Sequence, residues 1–152
     1  MIKYVKGDLF KADVDALVNP VNTVGVMGKG VALEFKKRFP QNMLEYKRAC
    51  QLNQVTVGKL FITHTVKSNK ILWIINFPTK EDWRFPSRIE WIETGLISLH
   101  NFINESNINS IAIPALGVGN GGLSWQLVKS KIEYALSDFK NVNIYVYEPH
   151  GV

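Results

Sequence analysis

Apolar positions along the chain follow two rhythms. Met1-Ile2-Lys3-Tyr4-Val5 alternates with period two, which predicts a strand over residues 2–5. Ile71-Leu72-Trp73-Ile74-Ile75-Asn76-Phe77 is almost unbroken, which predicts a central strand buried on both faces. Leu60–His64, Ser110–Ile113 and Asn143–Tyr147 predict further strands, and Ala16–Asn19 a short one. Val31, Ala32, Phe35 and Phe39 keep helical spacing from Gly30 to Phe39. Pro40 then interrupts, and a second helix is expected from Asn42 to Leu52. Ser87-Arg88-Ile89-Glu90 reads as a capping box opening a long helix, whose apolar stripe is Ile89, Ile92, Leu96, Leu99 and Ile103. Ser124 can cap a last helix running to about Leu136. Strands alternating with helices predict a layered α/β sandwich on a mostly parallel sheet.

Two glycine-rich turns stand where strands hand over to helices. The first runs Asn19-Pro20-Val21-Asn22-Thr23-Val24-Gly25-Val26-Met27-Gly28-Lys29-Gly30, the second Pro114-Ala115-Leu116-Gly117-Val118-Gly119-Asn120-Gly121-Gly122. Glycine lets backbone N–H groups approach an anion, and a helix N-terminus adds favourable partial charge. Either turn alone is ordinary. Together, at the carboxyl ends of strands where ligands of such sheets bind, they predict a pincer around one phosphorylated ligand.

A chain of 152 residues with 46% hydrophobic positions suits one domain with a real core. No apolar run is long enough to cross a membrane, and the N-terminus lacks a signal-peptide pattern. The single cysteine, Cys50, excludes an internal disulfide and a cysteine zinc cage, and is expected to fill space on a helix. A cytoplasmic setting is the expectation. The formal charge of +5 mildly favours a polyanionic partner. Lys36-Lys37-Arg38 and Lys47-Arg48 concentrate it on two consecutive helices, fitting either solvated faces or a phosphate-contacting surface.

Known phosphate motifs fit poorly. After Gly28-Lys29-Gly30, no Ser or Thr follows to hold magnesium, which argues against a nucleotide triphosphatase. Gly117-Val118-Gly119-Asn120-Gly121-Gly122 matches the dinucleotide fingerprint formally, but too little chain follows for a Rossmann domain. His64, His100 and His150 are scattered without metal-ligand spacing, so no metal is expected. Lys80 leaves the apolar strand in a loop, Pro78–Pro86, stiffened by proline at both ends. Its amine can act as nucleophile, proton donor or stabilising cation. Trp83, Arg84 and Phe85 just beyond suit either base stacking or packing of the loop onto the body.

Four segments together carry a family resemblance: Gly7-Asp8-Leu9, Asn19-Pro20-Val21-Asn22 through Ala32, Asn76-Phe77-Pro78-Thr79-Lys80, and Pro114-Ala115-Leu116-Gly117 through Trp125. The chain resembles macrodomains over nearly its whole length, and more narrowly those of DarG antitoxins. The resemblance implies a single three-layer α/β/α macrodomain over residues 1–152 with a central mixed, mostly parallel sheet, either excised from a longer two-domain antitoxin or standing alone. It implies a DNA ADP-ribosyl glycohydrolase that removes ADP-ribose from thymidine bases, single-stranded DNA as substrate and a DarT-like toxin as partner. No cofactor is implied. Asp8 and Leu9 would hold adenine, and Gly117, Val118, Gly119, Asn120 and Gly121 the diphosphate. Pro20, Val21, Asn22, Val31 and Thr79 would line the distal ribose, which Asn22 would orient, with Lys80 catalytic. A related macrodomain hydrolase of glutamate-linked ADP-ribose uses a catalytic aspartate in the second turn. The matching position here is Gly121, which leaves Lys80 acting with Asn22, substrate groups or water. The alternatives are a protein or O-acyl-ADP-ribose hydrolase and a non-catalytic ADP-ribose reader.

Overall fold

A computed structural model describes residues 1–151. Six strands form one sheet: β1 (Ile2–Val5), β2 (Ala16–Asn22), β3 (Phe61–Lys67), β4 (Lys70–Lys80), β5 (Ser110–Ile113) and β6 (Asn143–Tyr147). Their order is β1-β6-β5-β2-β4-β3. Every neighbouring pair is parallel except β3 with β4. Four helices flank the sheet: α1 (Gly30–Arg38), α2 (Pro40–Gln51), α3 (Ile89–Glu105) and α4 (Trp125–Leu136).

The period-two rule decides which helix each strand residue meets. Val18, Ile75, Phe77, Ile111, Ile113 and Ile144 face one way, into a core shared with the stripes of α3 and α4. Leu17, Val21, Leu72, Ile74 and Ala112 face the other way, against Phe35 of α1 and Tyr46, Ala49 and Cys50 of α2. The three layers and the mostly parallel sheet agree with expectation.

Several local expectations need correction. β4 is buried from Leu72 to Thr79 apart from the half-buried Trp73, and it is an interior strand between β2 and β3, one in from the edge rather than at the middle of the sheet. Ser68 and Asn69, both with positive φ, close the β3–β4 hairpin. β4 also continues through Pro78 and Thr79 to Lys80, where a loop was expected. Its pairing with β3 ends at Asn76, so Pro78 sits where β4 has β2 alone as partner and a missing N–H is tolerated. β2 likewise continues past Asn19 to Asn22, so the first turn begins three residues later than expected. α2 starts at Pro40 rather than Asn42, because proline suits the first helical position. The capping box does not form: Arg88 is the N-cap of α3 without a side-chain bond, and Ser87 points elsewhere.

Buried amides tie the layers together. Asn76 on β4 and Asn42 on α2 exchange hydrogen bonds, Nδ2 of each donating to Oδ1 of the other at 2.9 and 3.2 Å. Thr63 Oγ1 donates to Asn42 at 2.7 Å, and Asn19 Nδ2 donates to Asn76 at 3.0 Å. This network lies directly beneath the ends of β2 and β4.

On the other face α3 closes on β4 through Gly95, where a Cβ would overlap the ring of Phe77. Phe77 is fully buried, so its ring has nowhere to move. Gly95→Ala is therefore expected to destabilise the fold despite better helix propensity. Overpacking costs about 1–3 kcal/mol and propensity returns about 1 kcal/mol. A thermal midpoint unchanged or raised in Gly95→Ala would contradict this packing account.

Candidate functional site

The carboxyl ends of β2, β4, β5 and β6 open into one cleft of about 1130 Å³. Asp8, Leu9, Pro20, Val21, Asn22, Val31, Thr79 and Lys80 line it, as do Gly117 to Gly121 of the second turn. The fold thus brings every residue singled out for the ligand to one place. Its volume suits a ligand of several linked rings.

Asn22 ends β2 and organises the first turn from within. Its Oδ1 accepts from the backbone N–H groups of Val24, Gly25 and Val26 at 3.1, 3.1 and 3.3 Å, and from the hydroxyl of Tyr46 at 2.9 Å. Its Nδ2 donates to the Val26 carbonyl at 2.8 Å. One amide hydrogen is left for a ligand. Tyr46, unremarked in the sequence, also donates to the Asn22 carbonyl at 2.8 Å. Burial raises the Tyr46 hydroxyl far above the ordinary phenol range, so it remains a donor.

The second turn folds as a short 3-10 turn, Gly119–Gly121. Gly117, Gly119 and Gly122 all have positive φ, a conformation that favours glycine. Gly121 is glycine for another reason. A Cβ there would lie 2.6 Å from Ser87 Oγ, whose own N–H donates to the Gly121 carbonyl at 2.9 Å. An aspartate at this position has no room unless Ser87 moves. Ser87, expected to cap α3, instead props this turn, and its buried Oγ has no hydrogen-bond partner.

Lys80 bridges the ends of β4 and the second turn. Its Nζ donates to the Asn120 carbonyl at 2.9 Å and to the Trp83 carbonyl at 3.3 Å. Burial, and secondarily the positive charge of Lys29, lower its pKa below the ordinary lysine value. Either protonation state can donate to both carbonyls. The ammonium keeps a third N–H, whereas the neutral amine keeps a lone pair.

Asp8 lines the same cleft from the turn after β1. Its Oδ1 accepts from the Phe10 N–H at 2.9 Å, capping a short 3-10 turn, Leu9–Lys11, and its Oδ2 remains for a ligand donor. Phe10, Tyr147, Pro149 and His150 line the cleft here as well. The sequence reading assigns none of them to the ligand, although the end of β6 satisfies the same carboxyl-end rule as the two glycine turns. Of the basic cluster, Lys36, Lys37, Lys47 and Arg48 are exposed on α1 and α2, and Arg38 alone lines the cleft, over the Phe10 ring. Among the described residues, no group of histidine, cysteine, aspartate and glutamate could hold a metal ion, and no helix is long and apolar enough to cross a membrane.

The Macro domain family model matches residues 18–132, which include both glycine turns and Lys80. The chain belongs to the macrodomain family. This macrodomain is 49% identical over 151 residues to a DNA ADP-ribosyl glycohydrolase of Mycobacterium tuberculosis, covering 99% of this chain and 43% of that protein. The chain therefore spans less than half the length of that relative. The solved macrodomain of Mycobacterium tuberculosis DarG superposes with a TM-score of 0.95 at 49% identity, covering 98% of each chain. Thermosipho africanus DarTG in complex with ADP-ribose superposes with a TM-score of 0.91 at 33% identity, covering 99% of this chain and 42% of that one.

Proposed function

We propose that this macrodomain is a DNA ADP-ribosyl glycohydrolase that cleaves the N-glycosidic bond joining ADP-ribose to thymine. The observation that carries the proposal is the placement of the Lys80 amine. It donates to Asn120 in the second glycine turn and lines the same cleft as Asn22 and Asp8. The adenine amine donates to Asp8, with Leu9 beside it. The diphosphate lies against the second turn, and Asn22 gives its remaining N–H to the distal ribose. That arrangement holds the anomeric carbon near Lys80, so binding energy from the ADP part positions the reacting bond.

Lys80 then acts in one of two ways. As a cation it stabilises the negative charge developing on the leaving thymine while water attacks the anomeric carbon. As a free amine it attacks the anomeric carbon and displaces thymine, and water later releases the sugar. Gly121 supplies no carboxylate beside Lys80, so Lys80 acts with Asn22, substrate groups or water. The partner is ADP-ribosylated single-stranded DNA, and the biological role is reversal of a DarT-like toxin.

Incubation with an oligonucleotide ADP-ribosylated on thymidine, beside a glutamate-ADP-ribosylated peptide, tests this reading. Release from DNA alone supports it. Release from peptide alone replaces it with a protein hydrolase, and binding without release replaces it with a reader. Salt offers a further check. Each strand phosphate neutralised by the basic surface should add a slope of about −0.7 in log affinity against log salt. Turnover on the oligonucleotide should accordingly weaken with salt more than ADP-ribose binding does. Equal salt dependence would mean that the strand is not engaged.

A further inference from the structure

The segment between β4 and α3, residues 81–88, is held by polar contacts while leaving its rings in solvent. The Glu81 carbonyl accepts from the Thr23 N–H and hydroxyl at 3.2 and 2.7 Å, tying the segment to the first glycine turn. The Ser87 N–H ties it to the second. In between, the Asp82 carboxylate accepts from the Arg84 N–H, Nε and Nη2 at 2.9, 3.0 and 2.7 Å. Yet Trp83 and Phe85 are 50% and 62% exposed. These rings therefore do not pack the loop onto the body. The Arg84 guanidinium lies within 6 Å of both ring centroids, at 5.9 and 5.8 Å. Trp83 also lines the cleft, and its carbonyl is one of the two that Lys80 meets.

We propose that Trp83 and Phe85, with Arg84, form a stacking platform for the nucleobase beside the modified thymidine in a single-stranded substrate, an assignment that rests on the glycohydrolase reading above. On the glycohydrolase reading the base joined to the distal ribose lies beside Lys80, and the Lys80 bond to the Trp83 carbonyl sets Trp83 next to it. Exposed rings held in a fixed loop lose little entropy on stacking and accept any base, because every base has a π-face. Arginine beside aromatic rings adds cation–π attraction to the same surface. Arg84 is paired with Asp82 and Arg88 with Glu90, so the platform offers faces rather than net charge, and the chain's formal charge of +5 favours a phosphodiester strand as the partner that brings the base. A duplex would keep both faces of that base covered, so the platform selects unpaired DNA.

The test compares the parent and Phe85→Ala on three substrates: ADP-ribosyl-thymidine nucleoside, an oligonucleotide carrying it between normal bases, and the same strand with abasic flanks. The expected result is a loss of about five-fold or more in kcat/KM on the normal oligonucleotide relative to the nucleoside in Phe85→Ala. Abasic flanks should cost the parent a similar factor and cost the variant nothing further. Because the Phe85 ring is exposed, the thermal midpoint should not move. Equal losses on all three substrates, or a parent indifferent to abasic flanks, would overturn the platform while leaving the glycohydrolase reading intact. A parent that releases ADP-ribose from none of the three would overturn both.

Discussion

Replacing Lys80 by alanine is expected to leave ADP-ribose binding within a few-fold of the parent while lowering hydrolysis by roughly 10²–10³-fold. The modest binding effect follows from what Lys80 touches. Its amine donates to the Asn120 and Trp83 carbonyls, so its removal loosens the second turn without removing any of that turn's N–H groups. The large kinetic effect follows if the third valence of that nitrogen meets the reacting carbon or the leaving base mainly in the transition state. Calorimetry with ADP-ribose and single-turnover release from an ADP-ribosylated oligonucleotide measure the two quantities separately. Full activity in Lys80→Ala would remove it from the mechanism.

The two chemical roles of Lys80 have opposite pH signatures. Its pKa is lowered by burial and by Lys29, which brings its titration closer to neutrality. A cationic role requires the protonated form, so activity falls as pH rises through that lowered pKa. A nucleophilic role requires the neutral amine, so activity rises over the same interval. Lys80→Arg keeps the charge but supplies no nucleophile, and retained activity there would favour the cation. A lysine–sugar adduct trapped by borohydride would favour attack.

Gly119→Val is the second large effect, with an expected loss of ADP-ribose affinity of about ten-fold or more. A Cβ at Gly119 would meet no protein atom within 4 Å, so the new side chain meets whatever the cleft holds. The positive φ of Gly119 adds strain, since a β-branched residue is a genuine outlier there. Gly119→Ala separates the two causes. Strain acts on the thermal midpoint of both variants, whereas obstruction of the diphosphate grows with side-chain size. Unaltered affinity in Gly119→Val would show that the phosphates do not lie against this turn.

Much of this molecule was legible in one dimension. Apolar rhythm placed β1, β5, β6, α1, α3 and α4 nearly at their observed bounds, because strand and helix periods depend on which face a residue must bury. The two glycine turns and Lys80 stood out because they break that rhythm at strand ends. Relations between distant segments were not legible. Nothing local to Asn22 reveals that its carboxamide is engaged by three backbone N–H groups and by a tyrosine 24 residues away. Ser87 looked like a helix cap until the fold set it under Gly121, where steric exclusion rather than local propensity decides which residue the second turn can hold. Pro78 predicts a loop at Lys80, yet pairing with β2 carries β4 through the proline and brings the lysine to Asn120. The sequence by itself determined the elements, the layers and the chemistry available, since those follow from side-chain polarity and spacing. Tertiary structure alone decided which amide orients, which serine props and which aromatic rings stay in solvent, since those are settled by packing between segments far apart in the chain.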